Sequence, residues 1–378
     1  MDEEHFSLEV AEQERDPLRY LYSIYYGNRK AAVLAVAVRY KIFDFIAAHE
    51  PVGVQQSDLV KQHRFSSRGA AALLLALERL HLLQLVQDRY FLTPYSRQYL
   101  TSTAEEYIGG LIDLEYDEFI TPNTLDAALR SGHSQAYRAA ADVWQHHEMD
   151  QARCERFTAA MHAISSGPAR ALIQTLSQER HWGLDGSLAM LPHRVLDVGG
   201  GSGCYAVEWM RHAPVPNSEA HILETPACSH LTERYVEEAR SIVLPNTIHV
   251  HAGDMFVEEA YGEASSYTHV LMSQILHDWP VRDSSAAGTR RGGEHLVTLA
   301  WRALRPGGVL VIHEKLVRDA DTAMVTLDML HWTEGQQFTE AMMRELLERA
   351  GFVALRFRKT AHTYWWAVLA QRPDGMQS

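Results

Sequence analysis

Cysteine, positive charge and long apolar runs are all scarce in this chain. The 378 residues include three cysteines, Cys154, Cys204 and Cys228. They share no close metal-type spacing, so reduced thiols in an intracellular, cytoplasmic protein are expected. No stretch is long and apolar enough to span a bilayer, so no membrane partner is expected. The first sixteen residues are acidic and lack a signal-peptide pattern; a frayed arm is expected there. Acids outnumber lysine and arginine to give a formal net charge of −13, which disfavours non-specific binding to nucleic acid.

What is present is enough for sizeable cores: 46% of the residues are hydrophobic, and the length suggests two domains. Pro17 can open a helix at its first turn. Leu18 to His49 then reads as helix with little polar face, which must be buried or must bury itself against a partner. Val54–Gln62 reads as a short helix, and Ser66 and Ser67 can cap the next, Arg68–Leu80. Leu83–Val86 and Arg89–Thr93 read as a hairpin turning at Gln87 and Asp88. Helix, helix and hairpin make a winged-helix-like arrangement over residues 17–140, which admits a DNA-binding regulator. The would-be recognition helix, however, runs Gly69–Ala76 with small and aliphatic side chains and no basic, polar face for a major groove. A protein-packing module, and through it a homodimer, is the expectation. Residues 141–186 read as a helical linker broken near Gly167 and Pro168, and residues 187–378 as a catalytic domain.

The catalytic part is organised around Val195–Gly203. Val195–Val198 reads as a buried strand, apolar apart from Asp197. Gly199, Gly201 and Gly203 follow at alternate positions, then a helix from Cys204. Glycines let the backbone turn tightly and approach a ligand, and the helix N-terminus offers N–H groups to it. Gly201–Ala206 also fits the dinucleotide fingerprint G-x-G-x-x-A, which keeps an NAD-dependent dehydrogenase open. Asp197 favours a cationic ligand such as S-adenosyl-L-methionine, because an acid just before the glycines repels a pyrophosphate.

Strands then alternate with helices: Arg194–Val198, Glu219–Leu223, Thr247–His251, Thr268–Ser273 and Val309–Glu314, with a turn at Arg305–Gly308. A terminal hairpin spans Ala354–Lys359 and Tyr364–Gln371. This is an α/β, Rossmann-like parallel sheet, and ligands bind at the carboxyl ends of its strands. Glu224 ends the second strand, where an acid can accept both ribose hydroxyls. Asp254 follows the third and could accept from an adenine amino group, with Met255 and Phe256 flanking the ring. His277 follows the fourth, placed for general-base work with an ordinary pKa of about 6.5. Glu314 ends the fifth, placed to orient the imidazole and stabilise its charged form.

With Val195–Gly203, Gly253–Phe256, His277-Asp278-Trp279 and Leu304–Gly308 in hand, the chain resembles the small-molecule O-methyltransferases of plants and bacteria. These include caffeic-acid-type, hydroxyindole and polyketide-tailoring enzymes, and the resemblance covers about Pro17 to Gln371. It implies a winged-helix-like dimerisation domain followed by a class I methyltransferase sheet. It implies S-adenosyl-L-methionine as cofactor, with Ser273 joining Asp197, Gly199, Gly201, Glu224, Asp254, Met255 and Phe256 around it. It implies His277 as the base that deprotonates a hydroxyl, with Asp278 and Glu314 beside it. By match to family positions, Phe157, Met161, Trp279, Leu327, Asp328, His331 and Trp332 line the pocket of a small aromatic substrate. His331 with His277 and Asp278 could instead form a facial metal site; pocket lining is preferred and no metal is expected. Two departures stand out. Gln337 replaces the second acid of the plant members, and Ser284–Gly293 looks like an inserted surface loop. Transfer to a phenolic oxygen is the expected chemistry, with transfer to an activated ring carbon or next to an α-keto acid as the alternative.

Overall fold

A computed structural model describes residues 16–136, 144, 149–178, 188, 190–282 and 291–374. All of the expected arm (residues 1–16) but Asp16, parts of the expected linker and most of the expected inserted loop lie outside the described residues. Contacts divide the chain into two compact units that meet in sequence between Asp117 and Glu118.

In the first unit, α1 (Pro17–Tyr25) is capped by the Asp16 side chain, which accepts from the Arg19 N–H at 3.0 Å. It is followed by α2 (Gly27–Arg39) and α3 (Ile42–Ala47). The single helix expected over Leu18–His49 is therefore interrupted. The chain breaks at Lys41, whose φ of 52° is left-handed. Side chains of α2 and α3, among them Ala37, Val38, Ile42, Phe43 and Ile46, are buried in the core of this unit. By contrast α1 buries none of its residues, and Leu18, Leu21 and Ile24 are about 60% exposed. Helices α4 (Gln56–His63) and α5 (Ser67–Arg79) and the hairpin β1 (Leu83–Val86) and β2 (Arg89–Leu92) come next. Ser66 caps α5 through the Gly69 N–H, and Gln87 and Asp88 both take positive φ in the two-residue turn. Helices α6 (Pro94–Leu100) and α7 (Gly109–Leu114) complete the unit.

The second unit opens with α8 (Pro122–Ser131) and the 28-residue α9 (Gln151–Gln178). The break expected near Gly167 and Pro168 does not occur. Pro168 forfeits one backbone hydrogen bond, but Ala169, Leu172, Ile173 and Leu176 just beyond it are packed into the core on one face of the sheet. That burial holds the helix on course. The sheet elements follow in order: β3 (Arg194–Val198), α10 (Cys204–His212), β4 (Glu219–Glu224), α11 (Ser229–Val243), β5 (Thr247–Ala252), β6 (Tyr267–Ser273), α12 (Gly293–Ala303), β7 (Leu304–Lys315), α13 (Ala320–Trp332), α14 (Glu340–Arg349), β8 (Val353–Lys359) and β9 (Trp365–Gln371). The strand order is β5-β4-β3-β6-β7-β9-β8; the first five run parallel and the terminal hairpin adds antiparallel. Alternate residues of β3 serve opposite faces, with Leu196 and Val198 in one core and Val195 in the other.

The expected turn at Arg305–Gly308 is an irregularity inside β7. Tyr267 pairs with Leu304 but His269 pairs with Val309, so the intervening residues bulge out around Gly307 at φ 74°. Helix α13 carries apolar residues all round rather than in one stripe, and the pattern in the sequence did not mark it. The thiol expectation also needs correction. Cys154 of α9 and Cys228 at the head of α11 form a disulfide across 74 residues, leaving Cys204 free and buried. Sequence spacing says nothing about cysteines that the fold brings together.

Candidate active site

The glycine turn works through its backbone. Gly199 and Gly201 sit at φ 63° and 56°, which a side chain resists. A Cβ on Gly199 would also meet Ile275 at 2.5 Å. The N–H of Gly201 donates to Glu224 Oε2 at 2.8 Å, and the N–H of Thr225 to Oε1 at 2.7 Å. The ends of β3 and β4 are thus locked together with the carboxylate between them. Asp197 lies beneath, 1% exposed, with Oδ2 buried and without a hydrogen-bond partner. Burial, then the nearby Glu224 charge, pushes its carboxyl up to about 8. Burial also raises Glu224, against the hydrogen bonds it accepts.

Asp254 turns its own loop, with Oδ1 accepting from the Phe256 N–H at 2.9 Å. Its Oδ2 is 3.3 Å from Nη2 of Arg291, which lies within the expected insertion, near its end. Ser273 closes β6 and, from the body of the sheet, stands next to the buried Tyr205. Phe256 is buried and meets Trp279 edge-on at 4.7 Å. Trp279 stacks on Trp144 at 6.4 Å, and Trp144 meets Phe157 of α9 at 5.6 Å. One aromatic chain therefore joins a residue expected at the cofactor to residues expected at the substrate.

His277 and Asp278 lie in a single 3-10 turn after β6. The imidazole is buried, its side chain 11% exposed. Its Nδ1–H donates to Gln337 Oε1 at 3.1 Å and lies 3.2 Å from Glu314 Oε2; Nε2 is 3.6 Å from Asp278 Oδ1. Gln337 is itself aimed, because its amide nitrogen donates to the carbonyl of Lys315 and so turns the oxygen toward the imidazole. Glu314 is fully buried. Burial alone lowers His277, but the charges of Glu314 and then Asp278, with the hydrogen bonds of Glu314 and Gln337, carry it to about 9. With Nδ1 committed as a donor, the neutral ring keeps its lone pair on Nε2.

Helix α13 brings the remaining expected pocket residues. Burial raises Asp328, opposed by Lys315 and His331. His331 is buried with Nε2 2.8 Å from the Glu118 carbonyl, while its Nδ1 is buried without a hydrogen-bond partner. Among the described residues no group of three or more His, Cys, Asp or Glu has metal-binding geometry. Leu327 and Trp332 are partly buried on the same helix, and Met161 is partly buried on α9.

Three contributors went unread in the sequence. Gly335 lies against the His277–Asp278 backbone so closely that a Cβ would stand 1.9 Å from the His277 carbonyl oxygen; nothing in a Glu-Gly-Gln run announces this. His162 of α9 lies 2.8 Å from Ser202 Oγ and stacks on Tyr235 at 4.4 Å, tying that helix to the glycine turn. Thr232 Oγ1 donates to the Gly201 carbonyl at 2.5 Å. Both contacts join residues 31 or more positions apart.

Comparison with known proteins places two family models on the chain: an O-methyltransferase domain over residues 123–353 and an O-methyltransferase dimerisation domain over residues 22–102. Acetylserotonin O-methyltransferase of Bos taurus is 33% identical over 184 residues, and that match spans about half of either chain, 47% of each. The 3-hydroxy-5-methyl-1-naphthoate 3-O-methyltransferase of Streptomyces sahachiroi is 25% identical over 335 residues, 87% of this chain and 88% of that one. Among solved structures, human N-acetylserotonin methyltransferase in complex with SAM superposes with a TM-score of 0.77 at 23% identity, covering 94% of this chain and 97% of that one.

Proposed function

The chain belongs to the O-methyltransferase family of S-adenosylmethionine-dependent enzymes, and on that premise we propose that it methylates a phenolic oxygen of a small aromatic substrate with His277 as the base. The cofactor, when bound, supplies an electrophilic methyl on a sulfonium. The residues at the strand ends fit such a ligand. Asp197 Oδ2 is buried without a hydrogen-bond partner, which suits a ligand's ammonium group and disfavours a pyrophosphate's negative charge. Glu224 stands between two strand ends with lone pairs left for ribose hydroxyls. Asp254 and Met255 follow at the position for adenine.

The observation that carries the chemistry is the arrangement around His277. Methyl transfer needs an in-line approach and a deprotonated oxygen. Nδ1–H is held by Gln337 Oε1, which leaves Nε2 to take the hydroxyl proton. Glu314, buried and 3.2 Å from Nδ1, stabilises the imidazolium so formed. Gln337 supplies orientation without charge; with Glu314 already there, a second acid is unnecessary for a base of this strength. The aromatic chain from Phe157 to Phe256, with Trp279 between, suits a planar acceptor beside the cofactor. Relatives named for a naphthoate and a polyketide acceptor support that substrate class. The dimerisation-domain match and the exposed apolar residues of α1 support a homodimer.

Calorimetry with S-adenosylhomocysteine and with NAD tests the cofactor reading: saturable binding of the first alone is expected, and binding of NAD alone would overturn it. A new methoxy signal in the product tests the acceptor atom. An aryl-methyl signal would move the reaction to carbon, the alternative that the same base would serve.

A further inference from the structure

Asp254 has more to do than face an adenine. One of its oxygens is consumed by its own turn, accepting from the Phe256 N–H at 2.9 Å. The other, Oδ2, carries the ion pair with Arg291 Nη2 at 3.3 Å. The Arg291 guanidinium also lies over the Phe256 ring, 5.2 Å from its centroid. Phe256 is fixed from another side by His295 of α12, whose Nε2 lies 3.0 Å from the Phe256 carbonyl oxygen and whose ring is parallel at 6.5 Å. A cation from the run leading into α12 thus reaches both residues proposed for the adenine end of the cofactor site. Its side chain and that of Asp254 are each about 40% exposed, so the corner opens to solvent where a ligand could enter.

We propose that Arg291 is a cofactor-positioning residue: its guanidinium holds the Asp254 carboxylate in the orientation that accepts the adenine amino group and closes the outer edge of the adenine subsite. The proposal rests on the reading of Asp254 as the adenine acceptor. Its physical basis is that a carboxylate oxygen can accept from a guanidinium and an amino group together. A planar guanidinium fixed at that corner also offers a flat face to a purine.

The test is binding of S-adenosylhomocysteine by calorimetry to the full-length protein and to Arg291→Ala, Arg291→Lys, Asp254→Asn and the Arg291→Ala/Asp254→Asn pair. Arg291→Ala is expected to weaken binding about threefold to tenfold, as befits a half-exposed ion pair plus a cation–ring contact. Arg291→Lys should recover part of the loss, and the double variant should lose less than the sum of the two singles. In turnover the loss should fall on KM for the cofactor, with kcat, KM for the acceptor and melting temperature unchanged; a purely structural role would move all of them. Unchanged affinity in Arg291→Ala overturns the proposal, and tighter binding overturns it by making Arg291 a competitor for Asp254. If Asp254→Asn binds normally while Arg291→Ala does not, the adenine reading of Asp254 has failed and the mechanism proposed for Arg291 with it. S-inosylhomocysteine, whose 6-oxo group lacks the amino donor, separates the cases further: it should bind more weakly than the adenosine compound only while Asp254 is intact.

Discussion

Replacing Glu314 by glutamine isolates the charge that makes His277 a strong base. The carboxylate is fully buried and 3.2 Å from the ring. At that distance, with an effective dielectric of about 20, the attraction is about 5 kcal/mol. One pKa unit is about 1.4 kcal/mol, so this single charge offsets roughly three to four units of the downward push from burial. With it, His277 stands at about 9; without it, burial prevails against Asp278 alone and the ring falls to the acid side of neutrality. On the proposal that His277 is the base, the working form is the neutral imidazole, so activity rises with pH through this pKa. In the native enzyme the acid limb of kcat/KM, which reports the free protein, should lie well above pH 7. In Glu314→Gln it should move down by about two units or more, and the plateau should fall because the imidazolium is less stabilised. The assay is methyl transfer across roughly pH 5 to 10, with an overlapping buffer series, which brackets both limbs. A limb that stays put, or moves to higher pH, refutes the account of Glu314 as the source of basicity.

Other consequences follow from neighbouring parts of the site. Asp197, held at about 8, must lose its proton to meet a cationic ligand; cofactor affinity should therefore climb with pH up to about 8 and then level off. Calorimetry in buffers of different ionisation heat should show proton release below that pH, and a flat profile would contradict the Asp197 contact. Gly335→Ala should cut turnover at least tenfold by displacing the His277–Asp278 backbone, while S-adenosylhomocysteine binds as before; a fully active variant would show that the segment can give way. Reducing the Cys154–Cys228 link reopens a 74-residue loop worth about 4 kcal/mol by chain entropy, so the melting temperature should drop by about 5 °C. Three free thiols in the denatured, unreduced protein, rather than Cys204 alone, would exclude the disulfide.

The strands of the sheet are legible because each is a short apolar run closed by a turn residue, and the candidate site residues stand at or beside the ends of those runs. Asp197, Glu224, Asp254, His277 and Glu314 are each singled out by that position together with their acid–base chemistry. Gln337 was found only by resemblance, since no local pattern points a glutamine at a histidine 60 positions away. What stayed hidden is long-range. The Cys154–Cys228 link, the His162–Ser202 contact and the approach of Gly335 to His277 join segments that have no periodic relation. Helix α9 was misjudged at Pro168 because local propensity favours a break, and packing against the sheet overrides it. Helix α13 was missed for the opposite reason: apolar residues all round leave no stripe to read. Arg291 was passed over as part of a polar surface run, and only its pairing with Asp254 sets it apart.

The central claim, oxygen methylation through His277, is tested most directly with methyl-labelled S-adenosylmethionine, a panel of phenolic acceptors, and the native and His277→Ala proteins side by side. The account predicts a labelled methoxy carbon in the native product, turnover reduced about a hundredfold or more at pH 7 in the variant, and unchanged affinity for S-adenosylhomocysteine. Label on a ring or side-chain carbon, or full activity without His277, would contradict it.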